Sequence, residues 1–342
     1  MHSVVRRCAV AVALLSFASL SVACSSDDTT TDADTPADAA GADDAAVATT
    51  TTPAVDLPDI VVTYSVLGAF VERLVGDSAR VTVLIPDGQD PHDFEPSPRD
   101  IERINDADLV VANGLNLEEG LDDTLATASA AGIPIFFVAD HVTVLDVVDV
   151  NDHSAHGHNH AGAQTEHSHG DDGHEHSKDP HVWLSPATML EALPALVDAT
   201  ETALAIDLTT DAEAFVAELA AVDAELEKVF GSLSDCQLVT GHNELGYFAE
   251  RYGCTVIAAI LSSPSTTAEE SAGNVEFVID VIKTHGADAV FTSIGTNPAV
   301  AKQVADAAGA KLVEISTHYL GNETSYINFI RTLGNTIATS LR

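Results

Sequence analysis

From residue 60 onward, the chain alternates between short apolar runs and amphipathic stretches. The strand-like runs are rich in β-branched residues and begin with IVVTYS at Ile60, followed by RVTVLIP, DLVVANG and IPIFFVAD. Helical spacing fills stretches between them, and one helix is predicted to begin at Ser97, which can cap it, and Pro98, which fits its first turn. Strands that alternate with helices in this way predict a parallel sheet covered by helices.

The same alternation returns in the second half of the chain. A long amphipathic stretch, DAEAFVAELAAVDAELEKVFGSL, precedes the strand-like runs CQLVT, CTVIAAIL, ADAVFTS and KLVEIS, and helical patterns separate these runs. The pattern therefore predicts an α/β protein with two doubly wound α/β lobes joined by a helix. We place the N-terminal lobe at residues 57–208, the connecting helix at residues 209–233 and the C-terminal lobe at residues 234–342.

The first 56 residues do not follow this pattern. Arg6 and Arg7 precede an apolar run that ends before Cys24, which predicts a secretory signal peptide over residues 1–23. The sequence SLSVAC resembles a bacterial lipoprotein signal, in which Cys24 becomes the lipidated N-terminus; plain secretion is the alternative. Residues 24–56 are rich in Ser, Thr, Asp, Ala and Gly, which predicts a flexible acidic linker. We expect an extracytoplasmic protein anchored to the cell membrane by its N-terminal lipid.

Residues 152–178 also interrupt the alternation. They contain eight histidines, several glycines and acidic residues, and no residue that would build a core, so we expect a mobile loop. Clustered imidazoles bind transition metals weakly. The loop either gathers metal at the surface or is a tolerated insertion.

The charge of the chain excludes one class of partner, and its length indicates more than one lobe. The chain has 14 Lys and Arg against 53 Asp and Glu, a formal net charge of −39, so it lacks the clustered cations that nucleic acid requires. An excess of acidic residues is typical of proteins that stay soluble in a salty or extracellular medium. The 342 residues exceed the roughly 250 that a single core usually holds, which agrees with two lobes.

Two cysteines remain once Cys8 is removed with the signal peptide and Cys24 is lipidated. Cys236 and Cys254 each open a strand-like run, and an exported chain meets an oxidising compartment. If the two strands are parallel neighbours, their starts lie side by side and a disulfide is feasible. Two free buried thiols are the alternative.

Histidines cluster at one kind of position in the predicted fold. Four of them come just after a strand or just before a helix: His92, His181, His242 and His318. Ligands of doubly wound sheets bind beyond the carboxyl ends of the strands, so these side chains from two lobes would meet in the cleft between them. Neutral imidazoles suit tetrahedral Zn²⁺. We expect His141 to lie in a loop and His285 at a helix C-terminus, outside this site.

Three histidine-containing stretches carry a resemblance to a known family. DPHDFEPSPRDI around His92, DPHVWLSP around His181 and TGHNELGYFAERYG around His242 resemble, in order, the ligand motifs of the solute-binding proteins of bacterial zinc and manganese ABC transporters. The resemblance spans roughly residues 60–341. It implies two α/β lobes on a rigid connecting helix, a monomer that captures a metal ion in the cleft, and delivery of that ion to an ABC permease with its ATPase.

The fourth ligand departs from the family pattern. EISTHYLG places His318 where the family often has an aspartate, and Ser293 stands where many relatives have an acidic residue. An all-imidazole set favours Zn²⁺, whereas a carboxylate favours Mn²⁺, so we expect zinc, with a manganese-binding member of the same family as the alternative. His318 could instead lie outside the metal's direct ligands, with water or a loop glutamate as the fourth. Asp90 or Asp179 could accept the other ring N–H of the histidine that follows it.

Two other classes of function fit parts of the sequence. An exported zinc hydrolase would need an open metal position and a base, for which Glu244 beside His242 is the candidate. The chain has no His-Glu-x-x-His motif, and four histidine ligands would leave no vacancy for catalysis. We therefore expect no enzymatic activity. A surface metal buffer or adhesin without transport is the other alternative.

Overall fold

The computed structural model describes residues 57–148, 150, 151 and 177–342. The predicted signal peptide, the linker with its lipidated Cys24 and nearly all of the histidine-rich loop lie outside these residues. Within the described part of the chain, no helix is both long enough and apolar enough to cross a membrane.

The N-terminal lobe contains four parallel strands. Its elements are β1 (Asp59–Tyr64), α1 (Ser65–Val75), β2 (Arg80–Ile85), α2 (Pro98–Asp106), β3 (Leu109–Ala112), α3 (Asp122–Ala130) and β4 (Ile135–Phe137). The strand order is β2-β1-β3-β4, with Ile60 of β1 paired to Val81 on one side and Leu109 on the other. Consecutive residues of β1 are buried, so both faces of the sheet are covered, as the long apolar run predicts.

The start of α2 is fixed by the predicted cap. Ser97 and Asp100 form a capping box: Asp100 Oδ2 accepts from Ser97 N at 3.0 Å, and Ser97 Oγ accepts from Asp100 N at 3.4 Å. Pro98 occupies the first turn. The helix is thereby set to begin only a few residues after His92.

Two long helices follow the N-terminal sheet, α4 (Pro186–Leu204) and α5 (Thr209–Phe230). The connecting helix predicted at residues 209–233 corresponds to α5. Helix α5 ends at Phe230, before the predicted end, and a turn at Gly231 and Ser232 follows. One face of α5 is buried through Phe215, Leu219, Val222, Leu226 and Phe230. These positions recur every three to four residues, which is the spacing of one helix face.

The C-terminal lobe repeats the architecture of the first. Its elements are β5 (Gln237–His242), α6 (Gly246–Tyr252), β6 (Thr255–Leu261), α7 (Ala272–His285), β7 (Ala289–Thr292), α8 (Pro298–Ala308), β8 (Lys311–Glu314) and α9 (Tyr326–Ser340). Its parallel strands are ordered β6-β5-β7-β8, which is the order of the first sheet. The predicted fold of two parallel-sheet α/β lobes is confirmed.

A continuous apolar core joins the two lobes. It includes Ile60 of β1, Leu226 of α5 and Phe291 of β7, and a smaller second core lies between the C-terminal sheet and helices α7 and α8. Helices α5 and α9 approach closely at Gly334, where a Cβ would lie 2.5 Å from Leu226 Cδ2. Only glycine permits this approach without a shift, so the connecting helix is firmly packed against the C-terminal lobe.

Hydrogen bonds also link the lobes at the floor of the cleft. The indole Nε1 of Trp183 donates to the carbonyl oxygen of Thr317 at 2.6 Å, and the Tyr326 hydroxyl donates to the carbonyl oxygen of Trp183 at 2.8 Å. All three residues are buried. The segment that carries His181 is thereby fixed against the segment that carries His318.

A disulfide joins Cys236 and Cys254, with 4.6 Å between their Cα atoms. The two cysteines come directly before β5 and β6, which are adjacent parallel strands, and Thr255 N donates to the carbonyl oxygen of Cys236 at 2.8 Å. The structure therefore contains the disulfide and not the alternative of two free thiols. The bridge closes a segment of the chain that contains β5 and α6, and His242 is the last residue of β5.

Removing this disulfide is expected to lower the free energy of unfolding by about 3 kcal/mol, the loop-closure entropy of a cross-link of this length. The sequence separation is 18 residues. The measurement is denaturant unfolding of wild type and of the Cys236→Ala/Cys254→Ala double variant, each with and without reductant. Reductant should destabilise the wild type and leave the variant unchanged. Equal midpoints for all four samples would contradict the expectation.

Candidate metal centre

Four buried histidines converge between the lobes. His92 lies in a 3₁₀ turn after β2, His181 immediately precedes the turn into α4, His242 ends β5, and His318 follows β8. Their side chains are almost inaccessible, with His92 the most exposed residue at 5%. Each offers one ligand atom, and these four atoms lie within 4.8 Å of one another. The structure therefore brings together all four histidines that the sequence singled out.

The distances within the cluster suit a single small ion. Nε2 of His92 and Nε2 of His181 are 3.4 Å apart, close to the ~3.3 Å that separates two nitrogens bound to one tetrahedral Zn²⁺. The ring centroids of all pairs among the four histidines are 5.1 to 6.0 Å apart. A cavity of about 370 Å³ opens beside the cluster and is lined in part by His92, Pro180 and Pro264.

Asp179 fixes the orientation of His181. Its Oδ1 lies 2.7 Å from His181 Nδ1 and also accepts from His181 N at 3.0 Å. Asp179 is itself 4% exposed, and its Oδ2 lies so close to Gly246 that a Cβ there would be 2.4 Å away. A carboxylate on Nδ1 holds the imidazole with its Nε2 lone pair directed to the cluster. Asp179 thus has the role that the sequence suggested.

Asp90 has a different role from the one suggested. Its Oδ1 accepts from the backbone N of His92 at 3.1 Å, and its Oδ2 accepts from Thr266 Oγ1 at 2.7 Å. It therefore contacts the backbone of the histidine rather than the ring. Because Thr266 belongs to the C-terminal lobe, Asp90 links the His92 turn across the cleft.

The other two histidines have buried nitrogens without partners. Neither ring nitrogen of His242, nor Nε2 of His318, has a hydrogen-bond partner within residues 57–148, 150, 151 and 177–342. His318 Nδ1 lies 3.1 Å from Thr317 Oγ1. The rings of His242 and His318 stack with 5.1 Å between their centroids. Buried polar atoms are rarely left unpaired, since each costs about 1–3 kcal/mol. Unpaired lone pairs that face one point are the arrangement that a metal ion would satisfy.

Burial keeps the imidazoles of His92, His242 and His318 neutral. It lowers the pKa of His92 to about 3, with a further contribution from the nearby His181. Burial likewise lowers the pKa of His242 and of His318 well below the ordinary value, again with smaller contributions from the neighbouring histidines. A metal binds the neutral ring, so at neutral pH these three ligands do not have to lose a proton first.

Glu244 is a further titratable group at the cluster, in addition to the four histidines, Asp90 and Asp179. The sequence suggests it only as the base of a hydrolase. Its side chain is fully buried, and Oε1 accepts from Ser293 Oγ at 2.8 Å. Oε2 lies 3.5 Å from His242 Nε2 and 3.7 Å from His318 Nδ1, and it has no hydrogen-bond partner in the described part of the chain. Burial raises the pKa of Glu244 to about 7. Its position two residues after His242 was the only signal in the sequence.

The two histidines predicted to be structural lie outside the cluster. The His141 ring stacks on Phe136, with 4.6 Å between centroids and an angle of 5° between the planes. His285 is exposed in the last turn of α7. Neither belongs to the group of four that could hold an ion.

Comparison with known proteins matches the sequence of the chain to a family. The family model ZnuA, described as "Zinc-uptake complex component A periplasmic", matches residues 60–340. The chain belongs to this family. The resemblance inferred from the three histidine motifs is therefore confirmed, and the ZnuA match covers both lobes and all four histidines.

Individual relatives of this chain are named as zinc-binding or manganese-binding proteins. The zinc-binding protein AdcA of Streptococcus pyogenes serotype M3 is 29% identical over 263 residues, which are 75% of this chain and 50% of AdcA. The manganese-binding lipoprotein MntA of Halalkalibacterium halodurans is 25% identical over 292 residues, 82% of this chain and 88% of MntA. The chain thus spans about half the length of the AdcA relatives that it matches.

Solved structures share the fold. The periplasmic zinc binding protein TroA of Treponema pallidum superposes with a TM-score of 0.70 at 20% identity, over 83% of this chain and 99% of TroA. The Mn-bound periplasmic metal binding protein of candidatus Liberibacter asiaticus gives a TM-score of 0.68 at 19% identity, over 83% and 100% of the two chains. At these identities the likeness establishes the two-lobed fold of the family.

Proposed function

We propose that this protein is the extracytoplasmic solute-binding component of a metal ABC importer and that it captures Zn²⁺ with His92, His181, His242 and His318. The observation that carries the proposal is the set of four buried imidazoles whose ligand atoms lie within 4.8 Å of one another. Three of these side chains have a pKa lowered by burial, and two have ring nitrogens with no partner among the described residues. Such a cluster costs stability unless a cation occupies it.

Capture by these residues joins the two lobes. His92 and His181 belong to the N-terminal lobe, and His242 and His318 belong to the C-terminal lobe. An ion held by all four bridges the cleft, and release to a permease with its ATPase requires that at least some of these contacts break. The metal ion is the cargo, and the protein holds it as a monomer. The proposed lobes are residues 57–208 and 234–342, with residues 209–233 between them.

The chemistry of the ligands supports zinc over manganese. Imidazole nitrogens suit Zn²⁺, whereas Mn²⁺ prefers oxygen ligands and a higher coordination number. AdcA is named as a zinc-binding protein, which agrees with this choice. Manganese is the second candidate because MntA, which this chain matches over more of the relative's length, is named as manganese-binding.

Three observations argue against a hydrolase. Four histidine ligands complete a tetrahedral site, so no position is left for the water that a catalytic zinc activates. Glu244, the candidate base, points its free oxygen at His242 and His318 rather than at an open cavity. The relatives compared above are named for metal binding.

The proposed location rests on the start of the chain. We expect a signal peptide over residues 1–23, lipidation at Cys24 and a flexible tether over residues 24–56. The relative from Streptococcus pneumoniae serotype 4 is named a zinc-binding lipoprotein, which supports an anchor of this kind. Mass spectrometry of the membrane fraction would detect the lipid on Cys24.

Calorimetric titration with Zn²⁺ and Mn²⁺ tests the function. The protein is used with and without residues 152–176, a deletion that keeps Ser177, whose carbonyl oxygen accepts from Val147 N at 2.9 Å. We expect one tight zinc site in both forms, weaker additional sites only in the full chain, and weaker binding of Mn²⁺. Absence of a tight stoichiometric site in both forms would contradict the proposal, and a clear preference for Mn²⁺ would overturn the choice of metal.

A further inference from the structure

We propose that Tyr247 is a positioning residue of the metal site, whose hydroxyl carries a contact from the C-terminal lobe through Asp179 to the ring of His181. This inference rests on the proposed metal-binding function. It concerns a side chain that supplies no ligand atom to the cluster. It is carried by the insertion of one hydroxyl group between two facing backbone segments of the other lobe.

These two segments face each other just before His181. They run antiparallel, with Asp146 opposite Lys178, so that Leu145 lies opposite Asp179. Asp179 N donates to the carbonyl oxygen of Leu145 at 3.0 Å. Opposite residues in an antiparallel pair of this kind exchange two such bonds, so Leu145 N would ordinarily donate back to the carbonyl oxygen of Asp179.

The second bond of this pair is made through Tyr247. Leu145 N donates to the Tyr247 hydroxyl at 3.1 Å, and the hydroxyl donates to the carbonyl oxygen of Asp179 at 3.1 Å. The two roles are fixed, because a backbone N–H can only donate and a carbonyl oxygen can only accept. Tyr247 belongs to α6 of the C-terminal lobe. A side chain of one lobe therefore completes a backbone pair of the other.

Asp179 transmits this contact to His181. Its carbonyl oxygen is held by Tyr247, and its Oδ1 lies 2.7 Å from His181 Nδ1 and accepts from His181 N at 3.0 Å. The start of α6 also meets the other carboxylate oxygen, since a Cβ on Gly246 would lie 2.4 Å from Asp179 Oδ2. Helix α6 thus fixes both the backbone and the side chain of Asp179. Loss of the Tyr247 hydroxyl would loosen the group that orients the His181 ring.

Tyr252 on the same helix offers a comparison, because any buried tyrosine hydroxyl needs a partner. Tyr252 is 7% exposed and Tyr247 is 3% exposed. The Tyr252 hydroxyl donates to Asp223 Oδ1 at 3.2 Å, and Asp223 belongs to α5 and also accepts from Arg251 Nε at 2.8 Å. The two tyrosines share a helix and are similarly buried, and only the hydroxyl of Tyr247 leads to a histidine of the cluster.

Trp183 provides a probe of the site in the full chain. It is the single tryptophan of the protein, and its ring centroid lies 5.3 Å from that of His181 and 5.5 Å from that of His318. Its fluorescence therefore reports occupation of the cleft rather than binding to the histidine-rich loop.

The test measures how fast zinc leaves Tyr247→Phe, which keeps the ring and removes only the hydroxyl. We expect zinc to dissociate about 10-fold faster, the lower end of the range for replacing a group that orients a metal ligand. Tyr252→Phe is the matched control: it should lower the free energy of unfolding of the metal-free protein and leave the dissociation rate unchanged. Rapid mixing of the zinc-loaded proteins with excess chelator, followed by Trp183 fluorescence, gives the rates.

A double variant tests the route through His181. If the hydroxyl acts through this ring, Tyr247→Phe should not weaken zinc binding any further in a protein that already carries His181→Ala. Competition with a chelator of known strength gives the zinc affinities of the wild type, the two single variants and the double variant.

Several results would overturn the inference. One is an unchanged dissociation rate in Tyr247→Phe, and another is an equal rise in Tyr252→Phe. Additive losses of affinity in the double variant would exclude His181 as the route. A Tyr247→Phe protein without the circular dichroism of the wild type would show that the hydroxyl holds the fold rather than the ligand. In each case a wild type that binds zinc tightly leaves the proposed function intact, whereas a wild type without a tight zinc site would contradict both.

Discussion

His181→Ala is expected to weaken zinc binding by about 100- to 1,000-fold. Apparent binding free energies of four-ligand zinc sites are about 10–16 kcal/mol, so one ligand contributes about 2.5–4 kcal/mol. His181 is 0% exposed, and its Nδ1 is held by Asp179, so in the wild type its ring is a fixed part of the cluster. The loss of zinc affinity is measured by competition with a chelator, with the fluorescence of Trp183, which lies beside His181, as the signal.

The control for this prediction is His141→Ala. His141 stacks on Phe136 and lies outside the group of four, so its removal should not change the zinc affinity. Circular dichroism of the metal-free proteins checks that each variant folds. Zinc affinity of folded His181→Ala within about threefold of wild type, well below the loss of ~3 kcal/mol expected for a ligand, would remove His181 from the site.

Zinc is expected to raise the melting temperature by about 8 °C when free zinc exceeds the dissociation constant a thousandfold. A ligand bound only by the folded protein then stabilises it by about 4 kcal/mol, and in a domain of this size each kcal/mol shifts the melting temperature by roughly 2 °C. Differential scanning calorimetry with zinc and then with excess chelator measures the shift and its reversal.

Two variants separate the cleft from the histidine-rich loop in this experiment. Deletion of residues 152–176 should keep the shift, because the four histidines of the cleft remain. His181→Ala should lose most of it, since at the same free zinc a site weakened a hundredfold gives about 1.4 kcal/mol. A shift that survives His181→Ala and disappears with the deletion would place the stabilising zinc in the loop and contradict the account.

The repeated strand and helix patterns carried most of the fold prediction. Buried parallel strands are near-continuous apolar runs, so IVVTY and VIAAIL are recognisable without any knowledge of their partners. Helix α3 is not predicted by its sequence, because DDTLATASA buries only Leu125 and Ala128 and has almost no apolar stripe. Its position is decided by packing against the rest of the lobe, which a local pattern does not contain.

The four histidines that could hold a metal ion are predictable from the sequence, whereas the residues that surround them are not. The carboxyl ends of parallel strands meet at one edge of a sheet, so the positions of His92, His242 and His318 after predicted strands are enough to place them together. The distances that matter for Asp90 and Glu244 depend on tertiary contacts. Asp90 reaches Thr266, 176 residues away, and Glu244 is oriented by Ser293, 49 residues away. Separations of this kind leave no mark in a local sequence pattern.

Anomalous diffraction at the zinc edge, from crystals grown with one equivalent of zinc, tests the central claim most directly. The account predicts one strong peak in the cleft, within about 2.0–2.2 Å of one ring nitrogen from each of His92, His181, His242 and His318. A cleft without a zinc peak, or a peak bonded to none of these four rings, would contradict it.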